Sequence, residues 1–300
     1  MSHAPAYPAL QKRPHAFSYQ GLTFSQNDFH CFLGLNAVDT LENVQKVMKI
    51  LQTLGLSCTR MGAYKPRTNP YTFQGHGKHC LAGVFELAGK HGIKIIAMEV
   101  TDIRHIEEIH QVLEDLDHPT GVMLQTGTRN AQNFELLKAL GQQSRYPILY
   151  KRGFGITLAE SLQAAEYIAA SGNPNIVFCL RGVKSLAAFP HRNLVDFAQV
   201  PLVKRLINTP VCIDPSHAVG QHNSEDSDIF HTTAQGILAG ANMVLADIHP
   251  HPQEALVDSK QAIPLKDVPW FVEDMKIARN AYLQRDSLRQ LWHEKHLVHA

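Results

Sequence analysis

The segment YPILYKRGFGITLAESLQAAEYIAASGNPNIVFCLRG, residues 146–182, contains one complete strand–helix–strand unit. Its two ends, YPILYKRG and NIVFCLRG, are short apolar runs without the alternation of a half-exposed strand. Between them, apolar residues recur at three- and four-residue intervals and a glycine follows the last turn, which is typical of an amphipathic helix. When two strands are apolar throughout and a helix joins them, the strands lie parallel to each other in the sheet. Both of their faces are then buried.

The same unit recurs along the whole chain. Strand-like runs also occur at 29–34, 56–62, 93–100, 121–127, 209–217 and 242–249, which makes eight. Eight strand–helix units in about 250 residues predict an α/β protein with a (β/α)8 TIM barrel. The main alternative is a doubly wound open sheet, which usually has fewer strands and a glycine-rich first turn; GLNAVDT at 34–40 lacks the G-x-G-x-x-G pattern.

The sequences at the two ends of the chain predict short segments that flank a single barrel domain. FSYQGLTFSQNDFH at 17–30 predicts a hairpin that turns near Gly21 and again near Asn27 and covers the bottom of the barrel. We therefore assign 1–30 to an N-terminal extension with this hairpin, 31–285 to the barrel and 286–300 to a charged tail.

Composition and charge exclude several classes of function. The 28 Lys and Arg nearly balance the 27 Asp and Glu, so no global basic field exists to attract nucleic acid. No run approaches 18 apolar residues, and the N-terminus lacks the apolar core of a signal peptide. The five cysteines are dispersed and odd in number, which indicates free thiols in a reducing compartment. We expect a cytoplasmic protein that binds neither nucleic acid nor membranes.

Basic side chains collect at the carboxyl ends of the predicted strands, where active sites of such barrels lie. They are Lys65, Arg67, Arg129, Lys151, Arg152, Arg181 and Lys184. One such residue would ordinarily be solvated surface. Several at one barrel mouth repel one another unless a multiply charged anion is bound, so the pattern predicts a site for phosphate and carboxylate groups.

Acidic and imidazole groups follow the same strands. Glu99, His217 and Asp247 lie at strand ends, and Asp258 lies in the loop after the last strand. Each alone would usually be a structural hydrogen-bonding residue. Together, beside a cationic pocket, they indicate metal ligation or proton transfer.

Five longer motifs carry a family resemblance. They are GAYKPRTNPYTFQG (62–75), GTRNAQNFELLKALG (127–141), KRGFG (151–155), GNPNIVFCLRG (172–182) and DPSHAVG (214–220). In content, order and spacing they resemble the class I 3-deoxy-D-arabino-heptulosonate-7-phosphate (DAHP) synthase family. The class I branch also includes 3-deoxy-D-manno-octulosonate-8-phosphate synthase. The similarity runs from about residue 28 to about residue 265.

The resemblance implies a transferase of the shikimate pathway, which makes aromatic amino acids. It would condense phosphoenolpyruvate (PEP) with an aldose phosphate, with erythrose 4-phosphate as the expected acceptor and DAHP and phosphate as products. Arabinose 5-phosphate or a modified sugar phosphate is the alternative acceptor. Two other possibilities remain open, a non-catalytic phosphosugar-binding relative and a lyase that uses Lys151 as a Schiff base. The family also implies a homodimer or homotetramer.

Residue roles follow from the same resemblance. PEP would be held by Lys65, Arg129, Lys151 and Arg181. The aldose phosphate would be held by Arg67 and Thr68. The catalytic set would comprise Asn36, Lys65, Glu99, His217, Asp247 and Asp258.

The metal position departs from the metal-dependent members, which use a cysteine, a histidine, a glutamate and an aspartate. The matching residues here are Asn36, His217, Asp247 and Asp258. A neutral amide is a weak ligand, so the resemblance implies no required cofactor and at most a weakly bound divalent metal. GLNAVDT is instead similar to the metal-independent octulosonate synthases, in which case Lys65, a protonated His217 or water would polarise the aldehyde.

Asn36 also has a purely structural interpretation. It could cap the helix that follows, a role open equally to Asp39 and Thr40.

Overall fold

The computed structural model describes residues 6–12, 16–116, 120–222 and 228–297. Residues 1–5 and 13–15 of the predicted extension and 298–300 of the predicted tail lie outside the described residues. Among those described, no helix combines the length and apolar character needed to cross a bilayer.

The chain begins with a short helix, α1 (Pro8–Lys12), and a two-stranded antiparallel hairpin, β1 (Ala16–Tyr19) and β2 (Leu22–Ser25). The hairpin turns at Gln20 and Gly21, both with positive φ, as predicted. Phe17 and Phe24 stack with their ring centroids 5.0 Å apart and belong to the cluster that fills the barrel interior. The hairpin therefore closes the bottom of the barrel.

Eight parallel strands form the barrel, each within a predicted run. They are β3 (His30–Gly34), β4 (Cys58–Arg60), β5 (Ile95–Val100), β6 (Gly121–Thr126), β7 (Ile148–Lys151), β8 (Ile176–Leu180), β9 (Val211–Ile213) and β10 (Met243–His249). Consecutive strands pair from β4 to β10, and β10 pairs with β3. A bridge between Leu35 and Met61 closes the ring, so the (β/α)8 prediction is confirmed and the open sheet is wrong.

Helices cover the outside. They are α2 (Leu41–Thr53), α3 (Leu81–Lys90), α4 (Arg104–Glu114), α5 (Phe134–Gln142), α6 (Leu158–Ala170), α7 (Val200–Leu206), α8 (Pro215–Val219), α9 (Asp228–Leu238) and, after a short strand β11 (Ile263–Pro264), α10 (Val268–Leu297). The helix α6 begins with a capping box of Thr157 and Glu160, which satisfies free amides of its first turn. The helix α10 continues unbroken through the predicted tail as far as Leu297.

The barrel interior changes character along its axis. Towards the bottom it contains apolar side chains, among them Phe32, Ile95, Met123, Leu149 and Leu245. Because side chains two residues apart on a strand share a face, the next inward positions can be read directly. They are Arg60, Glu99, Gln125, Lys151, Arg181, Asp214 and Asp247, all of them buried. The strands therefore present a ring of polar side chains at their carboxyl ends.

Candidate active site

A cavity of 420 Å³ opens at the carboxyl ends of the strands. Nine of the eleven predicted site residues line it: Lys65, Arg67, Thr68, Glu99, Arg129, Lys151, Arg181, His217 and Asp258. The other two, Asn36 and Asp247, are buried and bonded to Arg60 beneath this cavity. The barrel thus brings together residues that are distant in sequence, as predicted.

Two buried cations form the inner wall of the cavity. Arg181 is 2% exposed, and its Nε and Nη1 atoms have no hydrogen-bond partner in the described part of the chain. Lys151 is also buried and forms an ion pair with the Asp214 carboxylate. Burial lowers the pKa of Arg181, although its guanidinium remains charged at neutral pH. A buried cation with unsatisfied donors is costly unless an anion completes its surroundings.

The outer wall is also basic but open to solvent. Arg129 and Lys184 are exposed and Arg67 is half-buried. Within the described ranges none of the three forms an ion pair, and the Lys184 ammonium lies 4.4 Å from the centroid of the Phe154 ring. These side chains are free to reorient around a second anionic group.

Arg152 does not belong to the cavity, contrary to the expectation for the basic residues of the strand ends. Its Nη1 donates to Asp196 at 2.8 Å and to Gln199 at 3.0 Å, and its Nη2 donates to the Ile156 carbonyl. Neighbouring residues on a strand point to opposite faces, so Lys151 enters the barrel while Arg152 points outward.

Lys65 and Glu99 form a buried ion pair on the cavity wall, with 3.3 Å between Nζ and Oε2. Burial lowers the pKa of Lys65. Burial alone would raise the pKa of Glu99, but the charges of Lys65, Lys151 and Arg60 outweigh it and the pKa is lowered. A Cβ at Gly127 would lie 1.8 Å from Glu99 Oε1, so only glycine leaves room for this carboxylate.

Asn36 is held by three polar contacts. Its Oδ1 accepts from Lys65 Nζ at 2.8 Å and from Arg60 Nη2 at 2.9 Å, and its Nδ2 donates to Asp258 Oδ2 at 2.7 Å. The cap of α2 is Thr40, which accepts from the Asn43 amide. Asn36 therefore contacts two residues that line the cavity, Lys65 and Asp258, and the interpretation of Asn36 as the cap of α2 is wrong.

The four positions that match the metal ligands of the family do not fit a divalent cation. The Arg60 guanidinium lies between two of them and donates to Asp247 Oδ1 at 2.5 Å as well as to Asn36. Gln261 Nε2 donates to the second Asp247 oxygen at 2.6 Å. A cation already bonded to these oxygens repels a metal ion and occupies acceptor sites that the ion would need.

Asp258 completes this set. Besides Asn36, it accepts from Arg192 Nη1 at 3.2 Å, and its nearest approach to His217 Nε2 is 3.9 Å. Among the described residues, no group of three or more His, Cys, Asp or Glu side chains is arranged to hold a metal ion.

His217 is oriented by Asp214, a buried residue that also pairs with Lys151. The distance from His217 Nδ1 to Asp214 Oδ1 is 3.0 Å. Burial lowers the pKa of His217 below its usual 6.5, against the attraction of Asp214, so the imidazole is neutral at neutral pH. With Nδ1 donating to Asp214, Nε2 carries the free lone pair.

The sequence interpretation missed Arg60, Gln125 and Asp214. All three lie two residues after an apolar, inward-facing position: Cys58, Met123 and Cys212. This spacing of two was the available signal. It was obscured because each run was treated as apolar on both faces.

Comparisons with known proteins agree with this arrangement. The sequence profile described as DAHP synthetase I family matches residues 19–282. The phospho-2-dehydro-3-deoxyheptonate aldolase of Thermotoga maritima is 36% identical over 248 residues, which cover 83% of this chain and 69% of the relative. A 2-dehydro-3-deoxyphosphooctonate aldolase of Geobacter metallireducens is 25% identical over 252 residues, which cover 80% of this chain and 87% of that relative.

Solved structures give the same result. The crystal structure of the Thermotoga maritima DAHP synthase superposes with a TM-score of 0.79 at 31% identity, covering 90% of this chain and 74% of that one. A truncated form of the Thermotoga maritima synthase gives a TM-score of 0.78 at 29% identity, covering 92% of this chain and 97% of that one.

Proposed function

The chain belongs to the DAHP synthetase I family, and from that premise we propose how its barrel mouth performs the family's reaction. It is a transferase-type synthase that condenses PEP with an aldose phosphate, and the shikimate pathway is the setting that follows from the family. We propose erythrose 4-phosphate as the acceptor, giving DAHP and inorganic phosphate. Arabinose 5-phosphate is the second candidate because octulosonate synthases are also related to the chain.

The unpaired donors of Arg181 carry the proposal for PEP. Arg181 lines a cavity together with Lys151, Lys65 and Arg129, and its buried Nε and Nη1 have no hydrogen-bond partner among the described residues. PEP brings a phosphate and a carboxylate, which together supply the charge and acceptors that these groups lack. In the proposal these four residues bind PEP, with the buried pair of Arg181 and Lys151 fixing its position.

The aldose phosphate is assigned to the outer wall. Arg67 and Thr68 lie on the loop after β4, at the solvent side of the same cavity. Their place on the exposed side of the cavity suits a substrate whose phosphate is remote from its reacting aldehyde. The fixed cations offset the repulsion between the two anionic substrates and hold them together.

We assign the proton transfers to Lys65 and Glu99. As the PEP methylene carbon bonds to the aldehyde carbon, the Lys65 ammonium gives a proton to the aldehyde oxygen. Water then adds to the resulting oxocarbenium carbon and gives its proton to the Glu99 carboxylate. The C–O bond to phosphate then breaks, and the phosphate leaves with the proton of the new hydroxyl, which gives the keto product. Proton transfer from Glu99 to Lys65 across their 3.3 Å contact restores the starting charges.

The remaining catalytic residues position this pair. Asn36 holds the Lys65 ammonium, and Asp247 and Asp258 hold Arg60 and Asn36. Neutral His217 offers Nε2 as an acceptor for a substrate hydroxyl or for the attacking water.

We further propose that the reaction needs no divalent metal. The support is the donor set, in which Arg60 and Lys65 already supply positive charge to the Asn36 oxygen. We also propose a cytoplasmic homodimer or homotetramer, with the barrel domain bounded near residues 30 and 285.

The test is phosphate release by the purified chain with PEP and a panel of aldose phosphates, with and without EDTA. The proposal predicts the highest kcat/KM with erythrose 4-phosphate and unchanged turnover in EDTA. A higher kcat/KM with arabinose 5-phosphate would reassign the acceptor, and loss of turnover in EDTA would contradict metal independence. No phosphate release with any sugar would favour the non-catalytic relative, and covalent trapping by borohydride would favour the Schiff-base lyase.

A further inference from the structure

Arg192 lines the cavity but was not among the predicted site residues. It lies in the segment between β8 and α7, and 43% of its side chain is exposed. Its Nη1 donates to Asp258 Oδ1 and to Gln261 Oε1, each at 3.2 Å. Both acceptors lie in the segment between β10 and β11, so the guanidinium joins two separate connections at the barrel mouth.

The backbone around Arg192 is fixed against the end of α8. The Arg192 amide donates to the Val219 carbonyl at 2.7 Å, and the next amide, of Asn193, donates to the Ala218 carbonyl at 3.0 Å. Gly220, with a φ of 84°, makes room for the arginine, because a Cβ at this glycine would lie 2.2 Å from Arg192 Cβ. The folded chain therefore gives Arg192 a defined place at the cavity.

Arg192 completes a closed ring of hydrogen-bonded side chains. Each member is bonded to the next, and the last to the first, in the order Arg192, Gln261, Asp247, Arg60, Asn36 and Asp258. The contacts are 2.5 to 3.2 Å long. Three members match metal-ligand positions of the family, and two guanidiniums join them. Lys65 contacts the ring at the Asn36 oxygen, 2.8 Å from its ammonium nitrogen.

We propose that Arg192 is a positioning residue for Lys65 and acts through Asp258 and Asn36. This inference rests on the proposed function, in which the Lys65 ammonium gives a proton to the aldehyde oxygen. The Asn36 amide presents its oxygen to Lys65 and its nitrogen to Asp258, so the orientation of the amide depends on an acceptor held in place on the far side. The Arg192 guanidinium holds that acceptor.

Without Arg192 the Asp258 carboxylate has other groups to turn towards. Its Oδ2 lies 3.9 Å from His217 Nε2, and the charge of Lys65 also attracts it. The Asp258 backbone has a φ of 49°, which is uncommon for a residue other than glycine, so its contacts keep it in this conformation. A carboxylate that turned would release the Asn36 amide and compete with the substrate for the Lys65 ammonium.

Steady-state phosphate release separates positioning from substrate binding. Arg192→Gln should lower kcat by about 10- to 100-fold and change the KM of each substrate by less than about 3-fold, because Lys65 is misaligned while the substrate-binding cations remain. Arg192→Lys keeps a charge beside Asp258 and should restore most of the lost kcat. Arg289→Gln is the matched control, since this exposed arginine pairs with Asp286 on α10 outside the cavity, and it should leave kcat and KM unchanged.

A second variant tests whether the ring acts as a unit. Gln261→Met interrupts the ring at the member next to Arg192, so its effect on kcat should not multiply with that of Arg192→Gln in the double variant. Arg192→Gln should leave the melting temperature close to that of the wild type, because an ion pair this exposed contributes little to stability.

Four results would overturn the inference. They are an unchanged kcat in Arg192→Gln, a raised KM for the aldose phosphate at unchanged kcat, an Arg192→Lys variant as impaired as Arg192→Gln, and effects on kcat that multiply in the double variant. The second result would make Arg192 a substrate ligand. A wild-type chain that releases no phosphate with any sugar would contradict the proposed function itself, and this inference with it.

Discussion

The two ends of the barrel interior are built from the same eight strands and have opposite chemistry. At the bottom, side chains such as Phe32, Ile95 and Leu149 pack against the hairpin and are fully buried. Further along the strands, towards their carboxyl ends, the same face carries groups such as Glu99 and Arg181. The strand geometry is the same at both ends, so the difference lies in the side chains.

Stability and function are therefore separated along the barrel axis. Each large apolar side chain at the bottom contributes about 2 kcal/mol or more by leaving water. The buried charges at the top oppose folding unless they are paired, and two donors of Arg181 lack partners within the part of the chain that the structure describes. The bottom therefore stabilises a top that is arranged for ligands, and substitutions at the two ends should have different consequences.

The largest effect is expected for Arg181→Met. Loss of an anion-binding guanidinium in a buried site should lower kcat/KM for PEP by about 10³-fold, or about 4 kcal/mol. The melting temperature should stay equal or rise, because an incompletely paired buried cation is removed. Steady-state phosphate release and thermal unfolding measure the two quantities.

Arg152→Met is the control for Arg181→Met. Arg152 is equally buried but is bonded to Asp196, so its loss should destabilise the fold by about 3 kcal/mol and leave a buried carboxylate unpaired. If the two variants lost stability alike, Arg181 would be a structural residue and not part of a ligand site.

A slightly smaller effect is expected for Phe32→Ala at the opposite end. The cavity left among the apolar side chains should reduce the free energy of unfolding by about 3 kcal/mol. The folded fraction should keep kcat/KM within about 3-fold of wild type, because Phe32 is remote from the mouth. Urea unfolding measures the loss of stability, and phosphate release at low temperature measures kcat/KM. An inactive but stable variant would show that the two ends of the barrel are coupled.

Arg129→Ala tests whether exposure limits the contribution of a cation at the top. Because Arg129 is solvent-exposed, its loss should lower kcat/KM by about 10-fold, chiefly through a higher KM for PEP, and 0.5 M salt should reduce the difference. Lys78→Ala, which changes an exposed lysine outside the cavity, should have no effect. An Arg129→Ala defect as large as that of Arg181→Met would show that Arg129 becomes buried when substrates bind.

The smallest effect on turnover is expected from a change of pH between 8 and 6.5. Because burial depresses the pKa of His217 below 6.5, the imidazole stays neutral as pH falls from 8 to 6.5 and protonates only at lower pH. Turnover should therefore be flat over that range and fall on the acid side, and His217→Gln should remove the acid limb while lowering the plateau. A wild-type decline that begins above pH 7 would mean that the histidine pKa is raised.

The fold was predictable because its signal is repetitive. Eight apolar runs and the helices between them predicted every barrel strand, and YQGL at 19–22 predicted the hairpin turn. Free thiols were also predicted, and all five cysteines are free. Each of these features depends on local composition or spacing, which the chain displays without folding.

The site was predictable only in part. The family resemblance identified nine of the residues that line the cavity. It gave no means of separating Lys151, which points inward, from Arg152, which does not. The hydrogen-bond partners of Asn36 could not be predicted either. They are Arg60, Lys65 and Asp258, which come from three different parts of the chain.

By itself the sequence determined the barrel, the order of its strands and the collection of cations and acids at one end, because these follow from periodicity and from the motifs of the family. Only folding decided the placement of the Arg60 guanidinium between Asn36 and Asp247 and the burial that lowers the pKa of His217. The physical reason is that charge state and hydrogen-bond partners depend on burial and on distances of a few ångströms between residues far apart in the chain. Those distances exist only after the strands have closed.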